Sequence, residues 1–331
     1  MIERQHFKTR ITELFAIRHP ILCGGLMWLS DAGYVAASVN AGGMGFMTVR
    51  TFPDPGAFRA ELQKCRDLTG GKPFGVNVYM STRPEENRIF ETHIPILLEE
   101  GVRLIETSGI PPKDVVPRLK DAGCTIMHKV STVRHAISAA KLDIDAVCVV
   151  GAECGGHPGM QMIGSIVQTV QATRSVPLPV AIGGGIGHGS QVAAALAMGA
   201  EAVVLGTRMT VASEIWAHGA YKQKIVESDE TGSRLVMQTF RNTYRVIDNQ
   251  AAQAVASLEA EGVKDFDAYR PFAAGTEAKV AYETGDWNRG LLSMGQSAVF
   301  ADEVKPVAAI YAQMLEEAVA AARRVSGMCL D

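Results

Sequence analysis

The chain has 331 residues, 47% of them hydrophobic, and a formal net charge of −3. That length suits one large α/β domain or a barrel with an insertion, and the apolar fraction supplies a sizeable core. The charge is spread without long runs of one sign, which gives no electrostatic case for nucleic acid or a membrane surface as a partner.

The six cysteines, Cys23, Cys65, Cys124, Cys148, Cys154 and Cys329, are scattered with no C-x-x-C pair. Neither a zinc site nor a disulfide framework is expected, and no metal is assigned. The first residues lack the apolar run of a signal peptide. No stretch reaches about 18 uninterrupted apolar residues, the length a spanning helix needs. The expectation is a cytoplasmic protein acting on a small molecule.

In chain order, short apolar runs alternate with helical patterns from residue 20 to residue 206. The predicted strands are Pro20–Cys23, Gly45–Val49, Phe74–Tyr79, Val102–Thr107, Thr125–Val130, Ala146–Val150, Pro179–Ile182 and Ala202–Leu205. Several are apolar at consecutive positions, as expected of parallel strands covered on both faces. Between them, Asp31–Asn40, Ala57–Leu68, Glu85–Glu100, Thr132–Lys141 and Ser190–Met198 have helical composition, with Asp31 as an N-cap and Gly101, Gly123 and Gly199 as stops.

Eight β/α units predict an α/β fold of the TIM-barrel type. A doubly wound sheet is the competitor, but it carries its glycine fingerprint after the first strand, where none is found here. Residues 210–300 break the rhythm and read as mostly helical, with Glu227–Gln238, Ala251–Ala260 and Phe272–Tyr282 as candidate helices. The expected organisation is a barrel from 1–209 and 301–331, with a helical insertion at 210–300 covering its open face. Residues 302–325 form a closing helix.

The segment Gly151-Ala-Glu-Cys-Gly155-Gly156-His157-Pro-Gly159 follows the sixth strand. Glycines such as Gly155 and Gly156 let backbone press against a flat ligand, and a histidine among them can face it with a side chain that titrates near neutral pH. His157 is the candidate catalytic residue; a satisfied loop histidine is the plain alternative. The loops at Gly183, Gly184 and Gly185 and at Gly206 and Thr207 lie after strands seven and eight, where barrels of this kind bind phosphate. Gly24 and Gly25 end strand one and would let backbone approach a ring. Asn77 and Lys129, near the ends of strands three and five, are candidate contacts to a heterocycle edge, against a turn-capping asparagine and a solvated lysine. A Cys154/His157 nucleophile is disfavoured because adjacent loop residues seldom converge. His188 is given a supporting or surface role.

Taken together, His19-Pro-Ile-Leu-Cys-Gly-Gly25, Asn40-Ala-Gly-Gly-Met-Gly45, Pro73-Phe-Gly-Val-Asn77, His128-Lys129, Glu153-Cys-Gly-Gly-His157-Pro-Gly159, Ile182-Gly-Gly-Gly-Ile186 and Gly206-Thr207-Arg208 resemble the nitronate monooxygenase family, formerly the 2-nitropropane dioxygenases. The likeness runs from about residue 8 to residue 320. It implies an FMN-containing barrel with the phosphate at Gly184, Gly185, Gly206 and Thr207. The flavin ring would lie over Gly24–Leu26, near Asn77 and Lys129. Leu26 stands where many members carry methionine.

The activity implied first is oxidation of alkyl nitronates with O2. The alternatives are NADH:quinone reduction, or an FMN-dependent reductase or dehydrogenase step on an unsaturated or acyl-thioester substrate, with NADH or NADPH as electron donor. A non-catalytic flavin-binding barrel is the reading from another class. The apolar segment Val304–Val319 makes a homodimer a further expectation.

Overall fold

The computed structural model describes residues 4–329; residues 1–3 and 330–331, at the ends of the expected barrel unit, lie outside these. Eight strands, β1 (Ile21–Cys23), β2 (Met44–Thr48), β3 (Gly75–Met80), β4 (Leu104–Gly109), β5 (Thr125–Val130), β6 (Ala146–Val150), β7 (Val180–Gly183) and β8 (Ala202–Leu205), close into a barrel. Neighbours pair in parallel all the way round, with β1 bonded to both β2 and β8. Almost every strand residue is buried, because the barrel interior covers one face and the helices the other. The predicted and observed strands agree to within two residues at either end, and β5, β6 and β8 match at both.

Helix boundaries follow from local chemistry. Asp31 caps Ala32–Asn40, its carboxylate accepting from the Tyr34 N–H at 3.0 Å. Gly101, Gly123 and Gly199 have φ of +78°, +75° and +92°, the left-handed backbone that ends helices before β4, β5 and β8. The closing helix spans Val307–Ser326. It lies so close to Gly189 that a Cβ there would sit 2.0 Å from the Met314 carbonyl oxygen. No helix among the described residues is long and apolar enough to cross a membrane.

Residues 210–300 depart from the expectation at two points. Glu227–Gln238 is not a helix. The helix Gly219–Val226 ends before it, and Ser233–Val236 forms β9, antiparallel to β10 (Tyr244–Ile247). Helical composition at 227–230 hid a half-exposed ribbon whose pairing partner lies across a short turn. The helix expected at Ala251–Ala260 is present as Gln250–Ala260, and 272–282 is divided between Phe266–Ala273 and Gly275–Thr284. The ribbon and these helices enclose a second apolar cluster, with Val236, Val246, Val255 and Tyr269 at its centre.

Candidate functional site

The period-two alternation of parallel strands brings inward residues of neighbouring strands into one layer. Asn77 on β3, Glu106 on β4 and Met127 on β5 are in register, and Lys129 lies two residues further along β5. Glu106 is fully buried, and its carboxylate is satisfied from three sides. Lys129 Nζ donates to both oxygens at 3.0 Å, the Asn77 amide donates at 2.5 Å and the Gly25 N–H donates at 3.3 Å. Desolvation alone would lower the Lys129 pKa; the Glu106 carboxylate outweighs it, so the ammonium is held charged and its pKa is raised.

Above this layer, backbone replaces side chain. A Cβ at Gly25 would lie 2.6 Å from Asn77 Cβ and 2.8 Å from Thr48 Oγ1. At Gly24 it would lie 3.1 Å from Val204. The buried Thr48 hydroxyl beside them has no hydrogen-bond partner among the described residues. Leu26, partly buried, donates its N–H to Ser30 Oγ at 2.7 Å. Gly24, Gly25, Leu26, Asn77 and Lys129 are therefore grouped by the structure at the C-terminal end of β1, β3 and β5.

The glycine loops after β7 and β8 stand side by side. Gly183 packs against Val150 and Val204, while Gly184 and Gly185 have φ of +93° and +74°. At Gly184 a Cβ would meet the Gly151 backbone at 2.9 Å; at Gly206 it would meet nothing within 4 Å. Thr207 Oγ1 accepts from the Gly295 N–H at 2.9 Å and keeps its own hydrogen to donate. A cavity of about 390 Å³ beside this loop is lined by Gly185, Gln191 and Gln296, but not by His157. His188 takes no part: its Nδ1 accepts from the Ser190 N–H and caps the helix Gly189–Ala197.

His157 stands at the mouth, fixed from behind by the insertion. Gly155 packs against the Gly295 backbone. Gly156, at φ +89°, exchanges two hydrogen bonds with Arg245 of β10, at 3.0 and 2.7 Å. The buried Arg245 guanidinium also donates to the Ala152 carbonyl at 3.1 Å. The His157 ring stacks on Tyr244 with centroids 4.5 Å apart and planes 5° from parallel. Desolvation by these neighbours lowers the His157 pKa to about 4. The residue keeps more than a third of its surface open to solvent, and water on that side tempers the shift without reversing it. A downward direction from about 6.5 leaves the imidazole neutral at pH 7. Cys154 is no nucleophile at neutral pH, since desolvation pushes its thiol up to about 12.

The family model for nitronate monooxygenase matches residues 8–317, nearly the whole barrel and insertion. The chain belongs to the nitronate monooxygenase family. It is thus an oxidoreductase of a flavin-dependent family. It is 30% identical over 251 residues to a 5-hydroxy-7a-methyl-1-oxo-octahydro-1H-indene-4-carboxyl-CoA dehydrogenase of Mycobacterium tuberculosis, covering 76% of this chain and 69% of that protein. It is 26% identical over 329 residues to a probable nitronate monooxygenase of Staphylococcus aureus, covering 88% and 92%. Among solved structures, FabK from Thermotoga maritima superposes with a TM-score of 0.89 at 31% identity, covering 98% of this chain and 100% of that one.

Three residues of this nitronate monooxygenase-family site escaped the sequence reading. Glu106 left only a faint signal, as a carboxylate directly after the apolar pair Leu104-Ile105 of β4. Tyr244 and Arg245 come from β10, and only the fold brings them to the His157 loop. Glu153 also has a structural role, in that its carboxylate accepts from Ser165 N–H and Oγ at 3.0 and 2.9 Å at the start of the helix Ser165–Ser175.

Proposed function

We propose that this protein is an FMN-dependent oxidoreductase whose substrate is an acyl thioester, oxidised or reduced at a carbon beside the carbonyl. The observation that carries the reading is His157: a neutral imidazole, held flat against Tyr244 on the loop that follows β6, at the same end of the barrel as Lys129. No described residue hydrogen-bonds its ring nitrogens, which leaves them to a ligand.

The residues present fit FMN. Gly184, Gly185, Gly206 and Thr207 supply a side-chain-free cradle and one hydroxyl for its phosphate. Gly24 and Gly25 give a flat seat for the ring. The orphaned Thr48 hydroxyl, the Asn77 amide and the Lys129 ammonium offer polar contacts at its edge. When bound, FMN supplies the capacity to take up or give electrons to a carbon centre. Glu106 orients Lys129 and Asn77 beneath that seat. His157, as a free base, takes or returns the proton of the acidified carbon. Arg245 and Tyr244 keep its ring at one height over the mouth.

The thioester class is supported by the carboxyl-CoA dehydrogenase relative, whose identity to this chain exceeds that of the staphylococcal relative. Nitronate oxidation is the second reading, favoured by the family match and by a relative aligned over more of the chain. Anaerobic stopped-flow absorbance separates them. The FMN-loaded protein is mixed in turn with butyryl-CoA, crotonyl-CoA plus NADH or NADPH, and propyl-2-nitronate. Loss of flavin absorbance with a nicotinamide or with the saturated thioester is expected, and the thioester-driven loss, which needs the carbon-bound proton removed, is slowed at least about a hundredfold in His157→Ala. A response to nitronate alone would replace this reading with the second.

A further inference from the structure

A cleft of about 360 Å³ is lined by His157, by the loops after β5 and β6 and by the turn joining β9 to β10. Its charge is one-sided. Arg134, at the start of the helix after β5, and Arg241, from the turn, both line it, and no carboxylate does. In a chain of net charge −3 that is a local reversal. Both arginines are exposed, and neither side chain has a hydrogen-bond or ion-pair partner among the described residues. Gln161 and Asn242 add amide donors.

Backbone strain marks the same place. Arg241 has φ of +53°, and Met162, next in the chain to the lining residue Gln161, has φ of +48°. Side-chain-bearing residues hold such conformations at an energetic cost, and they cluster at ligand clamps. Arg241 combines this left-handed backbone with a place on the cleft wall.

We infer that this cleft binds the phosphates of a nucleoside diphosphate tethered to the reacting group. Guanidiniums grip phosphate oxygens in pairs, and two unpaired ones facing one cleft suit a diphosphate better than a single carboxylate. His157 lines the same cleft as both arginines, so a ligand anchored there by its phosphates extends to the imidazole as one molecule. Coenzyme A thioesters and nicotinamide dinucleotides share this chemistry. The inference rests on the functional reading above and adds where the nucleotide sits and which side chains hold it.

The test is isothermal titration of the FMN-loaded protein with coenzyme A, NADH and inorganic pyrophosphate, repeated on Arg134→Gln and Arg241→Asn. Asparagine tolerates the left-handed backbone, so the second change removes charge without new strain. Each substitution should weaken binding by about tenfold or more, the scale of one charge-assisted contact, with FMN content unchanged. Arginine-dependent binding of coenzyme A alone assigns the cleft to the thioester; of NADH alone, to the electron donor; of both, to the shared diphosphate. Nucleotide binding no tighter than pyrophosphate, binding indifferent to both substitutions, or no binding would each overturn the inference. A protein that takes up no FMN would instead overturn the functional reading.

Discussion

Lys129→Met removes the charge that faces Glu106 while keeping most of the side chain's apolar stem. Glu106 is fully buried and Lys129 about one-fifth exposed. Breaking a buried pair on one side costs roughly 3–5 kcal/mol, because the remaining charge stays uncompensated; the partial exposure of Lys129 argues for the lower end, about 3 kcal/mol. Urea denaturation of the flavin-free protein at pH 8 reads this without the added effect of lost FMN. The expected deficit is about 3 kcal/mol, mostly recovered by adding Glu106→Gln. A deficit below about 1 kcal/mol, or one that Glu106→Gln leaves unchanged, would refute this picture of the pair.

Gly184→Val puts a side chain where backbone already stands 2.9 Å away and at φ +93°; it should abolish FMN retention, and a yellow, flavin-saturated variant would contradict the phosphate assignment. Arg245→Ala frees the His157 loop from β10, and turnover should fall about tenfold or more as the imidazole loses its fixed height, with flavin content as the control. Burial pushes the His128 pKa down to about 4. The unfolded chain therefore takes up its proton first as pH falls, and about 3 kcal/mol of stability is lost between pH 6.5 and pH 4. His128→Asn should flatten that part of the stability profile relative to wild type, as denaturation midpoints across the range will show.

The barrel was legible because parallel strands announce themselves as apolar runs; β6 and β8 are such runs and nothing else, and β5 carries only Thr125, His128 and Lys129 among apolar residues. The ribbon was not, because β9 reads Ser-Arg-Leu-Val, half-exposed and without alternation strong enough to compete with the helical composition before it. Glycines and rim residues of the site were visible as punctuation after strands. Glu106 was hidden because a carboxylate after Leu104-Ile105 and before Thr107-Ser108 reads as the end of an apolar run, and its meaning appears only when register sets it beside Asn77 and two residues from the layer of Lys129. Tyr244 is far from His157 in sequence, and stacking at 4.5 Å is a property of the closed fold alone.

Everything above turns on the mouth of this barrel holding FMN against the β1, β7 and β8 glycines. Titration of the flavin-free protein with FMN, followed by quenching of flavin fluorescence, reads that step alone. One FMN per chain should bind, tightly in the wild type and not at all in Gly184→Val. A wild-type protein that takes up no FMN, or a variant that binds it equally well, would show that the glycines do not form this seat.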